Sequence, residues 1–269
     1  CLLVWGIKTI HHTMQPKYQG KTAEEWFAAF TWTGKPIEEA NAVPFEHLGT
    51  NGVWFLWGEY CRKDSTPTVW IMGLRDVVYN KSLWAPSHEQ DRQFRALAMI
   101  LKLGPMAEPL IPAILSRMTA TDPNEATTMA YLLGNIQRQP EVVVPALQLS
   151  LRSTNWTSNQ RVRTVRALSQ FGSHAKPALP MLQGWLADPA YTTNGANPYL
   201  ATAILRINGP GPELALLTNN LVPGDYDKSM KYITLIDDAG TNASPAAPVL
   251  LQFAGTLTNE TEIKTVRDT

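Results

Sequence analysis

The residues that could do chemistry are few in this chain and they are scattered. It has five histidines and two cysteines among 269 residues. A metal site needs several such ligands to converge. His11 and His12 are adjacent, so their side chains diverge on a helix or a strand, and no third ligand lies at a useful spacing. Cys1 and Cys61 form no CxxC pair. We therefore predict no metal and no cofactor, and we expect His47, His88 and His174 in solvated or capping roles.

No catalytic motif is present either. Gly20-Lys21-Thr22 ends like a phosphate-binding loop, but Gln15 stands where that motif needs its first glycine. Asp237 and Asp238 are neighbours, and adjacent carboxylates point in different directions on a helix. No Gly-x-Ser-x-Gly elbow occurs. The sequence predicts no catalytic residue.

Composition narrows the class of protein. The 23 basic residues balance 23 acidic ones, and a nucleic-acid binder needs a basic field that zero net charge does not supply. The apolar fraction of 44% is too high for a disordered chain. No apolar run approaches the roughly 20 residues that a membrane-spanning helix requires.

The two ends resemble interrupted elements. Residues 1–7 are apolar and resemble the tail of a truncated signal peptide or membrane anchor, which we extend to residues 1–15. A lipid-modified Cys1 and a buried first helix are the alternatives. Residues 263–269 are typical of the first turns of a further helix that stops early. An anchor of this kind favours the bacterial cell envelope over the cytoplasm.

An internal repeat determines the predicted fold. Three segments each contain a glycine followed by prolines five and eight positions later, and each set recurs at a spacing of 68 residues. The sets are Gly104, Gly172 and Gly240; Pro109, Pro177 and Pro245; and Pro112, Pro180 and Pro248. Weaker copies lie halfway between, which gives a unit of about 34 residues. The repeat predicts turns near residues 49, 104, 137, 172, 208 and 240.

Between these turns the apolar residues recur at helical spacing. The predicted stripes are Phe94, Leu97, Ala98 and Leu101; Val162, Val165, Leu168 and Phe171; and Leu200, Ala203, Ile204 and Ile207. Glycine after each stripe ends a first helix, A, and proline opens a second, B. The β-branched residues 142–144 fall where a helix B begins. Arg163 and Arg166 lie opposite their stripe and are expected to be exposed.

Two-helix units of this length must stack on neighbours to bury their apolar faces. Residues 160–182, with Arg161 eleven positions before Gly172 and a Gly-x-x-Ala-x-Pro-Ala-x-Pro turn, resemble a HEAT repeat. The resemblance extends over about residues 90 to 262. It implies an all-α fold, a right-handed α-α superhelix or solenoid of about six two-helix repeats. The lead-in from Tyr18 to Trp26 is similar to that of HEAT-repeat proteins of bacterial envelopes.

The predicted organisation follows from this repeat. Residues 16–90 form a divergent N-terminal cap, with a first repeat and an aromatic-rich insertion, and residues 91–262 form the repeat array. Thr22 and Glu25 form a capping-box signature that opens a helix in the cap. The insertion carries Trp70 and Trp84, which either hide the first apolar face or form an aromatic binding loop.

The resemblance implies a binding protein rather than an enzyme. We expect a non-catalytic scaffold that binds a protein partner in a groove lined by the B helices, with no nucleic acid and no small-molecule substrate. The predicted B faces are residues 109–118, 142–152, 177–186, 212–221 and 245–257. The predicted partner-binding residues are Arg117, Gln148, Arg152, Gln183, Trp70 and Trp84.

Two alternatives stay open. Deoxyhypusine hydroxylase and the bilin lyases are enzymes built from related repeats. The hydroxylase holds iron with recurring His-Glu pairs, whereas this chain has one such pair, His88-Glu89, and a reversed Glu46-His47. The other alternative is a purely structural module of a larger envelope protein.

Overall fold

The protein is all-α. The computed structural model describes residues 15–30, 41–63, 88–118, 122–152, 157–188 and 197–269. Within these ranges the regular structure is helical, and the β-type pairing there consists of two isolated bridges, Tyr18 with Lys21 and Val222 with Asp225. The predicted all-α class is confirmed.

The chain packs as two compact units, Cys1–Pro112 and Ala113–Thr269. This boundary after Pro112 differs from the predicted boundary after residue 90. The predicted boundary separates the part of the sequence without the repeat from the part that contains it. The described helices of the first unit are α1 (Ala23–Ala29), α2 (Val43–His47), α3 (Gly49–Cys61) and α4 (His88–Leu103), and a 3₁₀ segment (Gly104–Leu110) follows. Helix α5 (Ile111–Met118) begins at the end of this unit.

The first helix begins as the sequence predicts. The Glu25 backbone N–H donates to the Thr22 hydroxyl at 3.3 Å, and the Thr22 backbone N–H donates to the Glu25 carboxylate at 2.7 Å. This reciprocal capping box satisfies two of the N–H groups that a helix start leaves unpaired. At the other end of α1, the Arg95 guanidinium donates to the Phe30 carbonyl at 2.9 Å and lies over the Phe27 ring.

The described aromatic side chains of the first unit pack mainly on one another. The Phe27 and Phe55 rings meet edge to face at 5.8 Å, and Phe45 stacks on Phe55 at 6.3 Å. The His47 ring stacks on Tyr18 at 4.3 Å, which is a packing role. Trp70 and Trp84 lie outside the described residues.

The face that α4 buries was predicted wrongly in part. Phe94 leads the predicted stripe, but 54% of its surface is exposed. The side chains that are fully buried are Met99 and Ile100, with Ala96 and Leu103 on the same side. Apolar residues occupy both faces of this helix, so a spacing of three and four fits two different stripes, and packing of α4 against α3 selects one of them.

The second unit contains paired helices in the predicted order. They are α6 (Pro123–Ile136), α7 (Pro140–Leu151), α8 (Ser158–Ser169), α9 (Leu179–Ala187), α10 (Asn197–Asn208), α11 (Glu213–Thr218), α12 (Tyr226–Ala239), α13 (Ala247–Ala254) and α14 (Glu260–Asp268). The A helices are the even-numbered α6 to α12. Helix α8 contacts α6 and α10, and α10 contacts α12, so the A helices pack in sequence order.

The turn after each helix A requires a left-handed backbone. Gly104, Gly172 and Gly240 have φ values of 51°, 52° and 61°, and each begins a seven-residue 3₁₀ segment. Gly49, Gln137 and Gly209 also have positive φ, at 57°, 52° and 93°. Glycine is favoured at such positions because it has no Cβ. The six turns predicted near residues 49, 104, 137, 172, 208 and 240 are confirmed.

The repeated prolines lie where the missing N–H is tolerated. Pro177 is inside the 3₁₀ segment Gly172–Ala178, and Pro180 is in the first turn of α9. The same arrangement recurs at Pro245 and Pro248. Helix B therefore begins about two residues after the first proline, later than the sequence predicts. The β-branched residues 142–144 lie inside α7, as predicted.

Helices α6 and α8 approach so closely that one of them needs a glycine. A Cβ added at Gly134 would lie 2.8 Å from the Cα of Ala167, which is shorter than any normal contact with backbone. Buried side chains surround this contact, among them Leu133 and Leu168. The small pair Gly134 and Ala167 therefore sets the spacing of these two helices.

One helical stretch of the described residues, Gln90–Met118, is long and apolar enough to cross a membrane by length and composition alone. Gly104, with its left-handed backbone, and the 3₁₀ segment interrupt this stretch. In addition, 56% of its most apolar window is buried inside the protein. The buried core helix of a folded domain meets the same criterion, so the finding is weak evidence for a membrane span.

Substitution Gly134→Ala should destabilise the second unit by about 1–3 kcal/mol, because the added methyl group meets backbone that cannot move away. Gly184→Ala in α9 is the matched control, since its added Cβ meets nothing within 4 Å. That change should stabilise by about 0.5–1 kcal/mol through helix propensity. Urea unfolding of the two variants followed by circular dichroism checks this, and equal midpoints would contradict the close packing of α6 and α8.

Substitution Leu168→Asp tests the register of α8. Leu168 is fully buried, so an unpaired carboxylate there should cost more than about 3 kcal/mol and broaden unfolding. Arg163→Asp places the same carboxylate on the exposed face of this helix and should change stability by about 0.5 kcal/mol or less. Similar losses from both variants in a thermal unfolding experiment would show that the register is wrong.

Candidate functional site

A polar network connects successive A helices of the second unit. The Arg166 guanidinium on α8 donates to the Asp238 carboxylate on α12 at 2.8 Å. Between them lies α10, which lines a cavity beside the pair with Tyr199 and Arg206 and with two small residues between these, Thr202 and Ala203. Because these two residues are small, the long arginine side chain can reach across α10 to its partner.

The Gln170 side chain is the junction of the network. Its amide oxygen accepts from the Arg206 guanidinium at 2.8 Å and from the Gln137 side-chain amide at 3.1 Å. Gln137 and Gln170 are the C-terminal caps of α6 and α8, and Arg206 is in the last turn of α10. Three consecutive repeats are therefore linked at the same end of their A helices.

Two arginines lie near one carboxylate in this network: Arg166 is paired with Asp238, and the charge of Asp238 also acts on Arg206. Burial of the Arg206 guanidinium lowers its pKa, the charge of Asp238 opposes that shift, and the charge of Arg166 adds to it. The network thus holds two positive charges against one negative charge, and its second cation is partly desolvated. An arginine remains protonated under these conditions, so the cluster keeps an excess of positive charge.

A polar pocket opens beside the network, between α6 and α8. Its volume is about 220 Å³, and it is lined by Tyr131, Gly134, Asn135, Gln137, Arg166, Ala167 and Gln170. The Asn135 amide oxygen is buried here and accepts no hydrogen bond from any described residue. A buried polar atom normally has a partner, because leaving it unpaired costs about 1–3 kcal/mol. Tyr131 forms an aromatic wall of the pocket and is 48% exposed.

The residues predicted from the B helices are distributed over three elements. Arg117 on α5 forms an ion pair with Glu125 on α6. Gln148 is half-buried on α7, Arg152 is exposed at the end of that helix, and Gln183 is exposed on α9. The structure places Gln148 and Arg152 one turn apart on a single helix. Trp70 and Trp84 lie outside the described residues.

The prediction that Arg166 lies on the exposed face of its helix is correct but incomplete. Arg163 and Arg166 are both exposed, as predicted, but Arg166 is held by Asp238 instead of being simply solvated. Of the adjacent acids, Asp237 is exposed and Asp238 is half-buried in the pair. The two carboxylates diverge, as expected for neighbours on a helix.

Potential metal ligands do not converge in the described part of the chain. Among those residues, no three His, Cys, Asp or Glu side chains lie close enough to hold a metal ion. His47 stacks on Tyr18, and Cys61 is half-buried.

Comparison with protein-family models, with curated proteins and with solved structures finds no match to this chain.

Aligning the repeats on their turns would have pointed to the network. The residue two positions before each predicted turn is polar in the last four A helices: Asn135, Gln170, Arg206 and Asp238. Each of these residues belongs to the network or to the pocket. A polar residue at one fixed position of the repeat was the available signal.

A double-mutant cycle tests the pair between α8 and α12. Arg166→Ala and Asp238→Ala should show a coupling of about 0.5–1 kcal/mol in chemical unfolding, because the arginine is more than half exposed. The coupling should fall when salt is raised. Arg163→Ala combined with Asp238→Ala is the control and should show none. Equal coupling in both cycles would mean that no direct pair forms.

Proposed function

We propose that this chain is a non-catalytic repeat scaffold that binds a protein partner. Its fold in this proposal is a right-handed α-α superhelix of HEAT-like repeats. The order of contacts among α6, α8, α10 and α12 and the recurrence of one left-handed turn after each of them support this arrangement. Stacked repeats present extended surfaces that suit protein partners.

One observation carries the proposal: polar side chains from successive A helices converge beside a pocket with an unpaired buried amide oxygen. A row of core helices needs no such polar groups, and a buried polar atom without a partner is costly. We therefore expect a bound molecule to supply the hydrogen bond that this amide oxygen lacks. The neighbouring tyrosine adds apolar contact area of the kind that dominates binding energy at interfaces.

The binding surface in this proposal is the end of the A helices that adjoins the turns. The sequence favoured the B helices, and Arg152 and Gln183 remain exposed there. Among the described residues, however, the network and the pocket with the unpaired oxygen are on the A helices. We therefore assign the primary contact to the surface around Tyr131, Asn135 and Gln170.

Site-specific photo-crosslinking tests this assignment in cells that produce the protein. A photoreactive phenylalanine analogue at Tyr131 should yield a discrete crosslinked species, whereas the same analogue at Gln183 on α9 should yield none. A crosslinked species from the analogue at Gln183 alone would indicate that the partner binds the B helices instead. No species from either position, or a stoichiometric metal or visible chromophore in the purified chain, would contradict the proposed function.

A further inference from the structure

The pocket between α6 and α8 has a definite pattern of hydrogen-bonding groups. Both lone pairs of the Gln170 amide oxygen are used by Gln137 and Arg206, so its amide nitrogen remains as a donor at the pocket wall. Arg166 uses one Nη atom for Asp238; its side chain lines the pocket and is more than half exposed. The Asn135 oxygen is the buried acceptor.

Charge at this position favours an anion. The network contributes two guanidinium groups and one carboxylate, and the charged residue that lines the pocket is Arg166. Arginine presents several N–H groups in a planar fork that matches a carboxylate.

The size of the pocket limits the ligand to a small group. About 220 Å³ is less than the roughly 300–1,000 Å³ of pockets that enclose drug-sized ligands. A pocket of this size can hold one residue of a longer peptide. A ligand group that matches the pocket must carry an anionic acceptor and, a few atoms away, an N–H donor.

We propose that this pocket binds a peptide carboxylate together with its neighbouring amide N–H. The carboxylate lies between Arg166 and the Gln170 amide nitrogen, the Asn135 side chain turns its oxygen into the pocket to accept the peptide N–H, and the adjoining side chain packs on Tyr131. This inference rests on the proposed function and names the part of the partner that is recognised. The same chemistry is offered by a free C-terminus and by an acidic side chain within a chain.

Three capped dipeptides distinguish these sources. They are N-acetyl-Leu-Leu with a free carboxylate, the same dipeptide as its C-terminal amide, and N-acetyl-Asp-Leu amide. Each is titrated into the isotopically labelled full chain, and the side-chain amide signals of Asn135 and Gln170 are followed by NMR. Binding of the free acid alone identifies a C-terminus, and binding of the Asp dipeptide as well extends the site to acidic side chains. Both outcomes support the proposal.

The variant Asn135→Leu separates binding from folding. Removing an unpaired buried oxygen should raise the melting temperature by about 2–8 °C, while the loss of the acceptor should weaken dipeptide binding by about tenfold. Asn159→Leu changes the same residue type at an exposed position of α8 and should leave binding unchanged. If the leucine variant does not fold, Asn135→Asp replaces it; its added negative charge should repel the carboxylate and weaken binding of the free acid.

Equal binding of the neutral amide and the acid would overturn the carboxylate assignment. Absence of any shift with all three dipeptides would overturn the pocket as a site. Either result is distinct from failure of the proposed function, because crosslinking at Tyr131 reports a partner on this surface whether or not the pocket recognises a carboxylate.

Discussion

The left-handed residue after each helix A is the constraint on which the rest of the structure depends. A residue with positive φ stops helix A, and in three repeats it starts a short 3₁₀ segment that leads into helix B. Because the turn recurs, the helix ends recur as well. The last turns of α6, α8, α10 and α12 therefore carry equivalent residues at equivalent places, and the polar groups among them can meet.

Close helix packing is the second requirement of the network. Gly134 brings α6 within backbone contact of Ala167 on α8, and the Thr202 hydroxyl donates to the Leu235 carbonyl of α12 at 3.2 Å. Side chains of ordinary length then reach from one A helix to the next, and Arg166 on α8 reaches across α10 to α12. Larger residues at these contacts would separate the helices and leave the same polar groups solvated individually.

The sequence predicted the turns and most of the buried stripes because both depend on local rules. A glycine that requires positive φ, a proline that tolerates the first helical turn, and apolar residues at a spacing of three and four are visible without tertiary contacts. The face of α4 was predicted incompletely for the same reason: Phe94 fits a helical stripe, and the contact with α3 alone decides that it is exposed. The capping box at Thr22 needed only four residues and was predicted fully.

The candidate site was not predictable from motifs because its groups come from helices about 35 residues apart in sequence. The pairing of Arg166 with Asp238 depends on the small residues of the helix between them, which no local pattern reveals.

This pairing also has a mechanical consequence. An ion pair that connects alternate helices, rather than adjacent ones, limits how far α8 and α12 can separate when the chain is bent or stretched. The three A helices α8, α10 and α12 should then deform as one stiff block, with compliance concentrated in the repeats on either side. Because the pair is electrostatic and partly exposed, higher ionic strength should weaken this restraint.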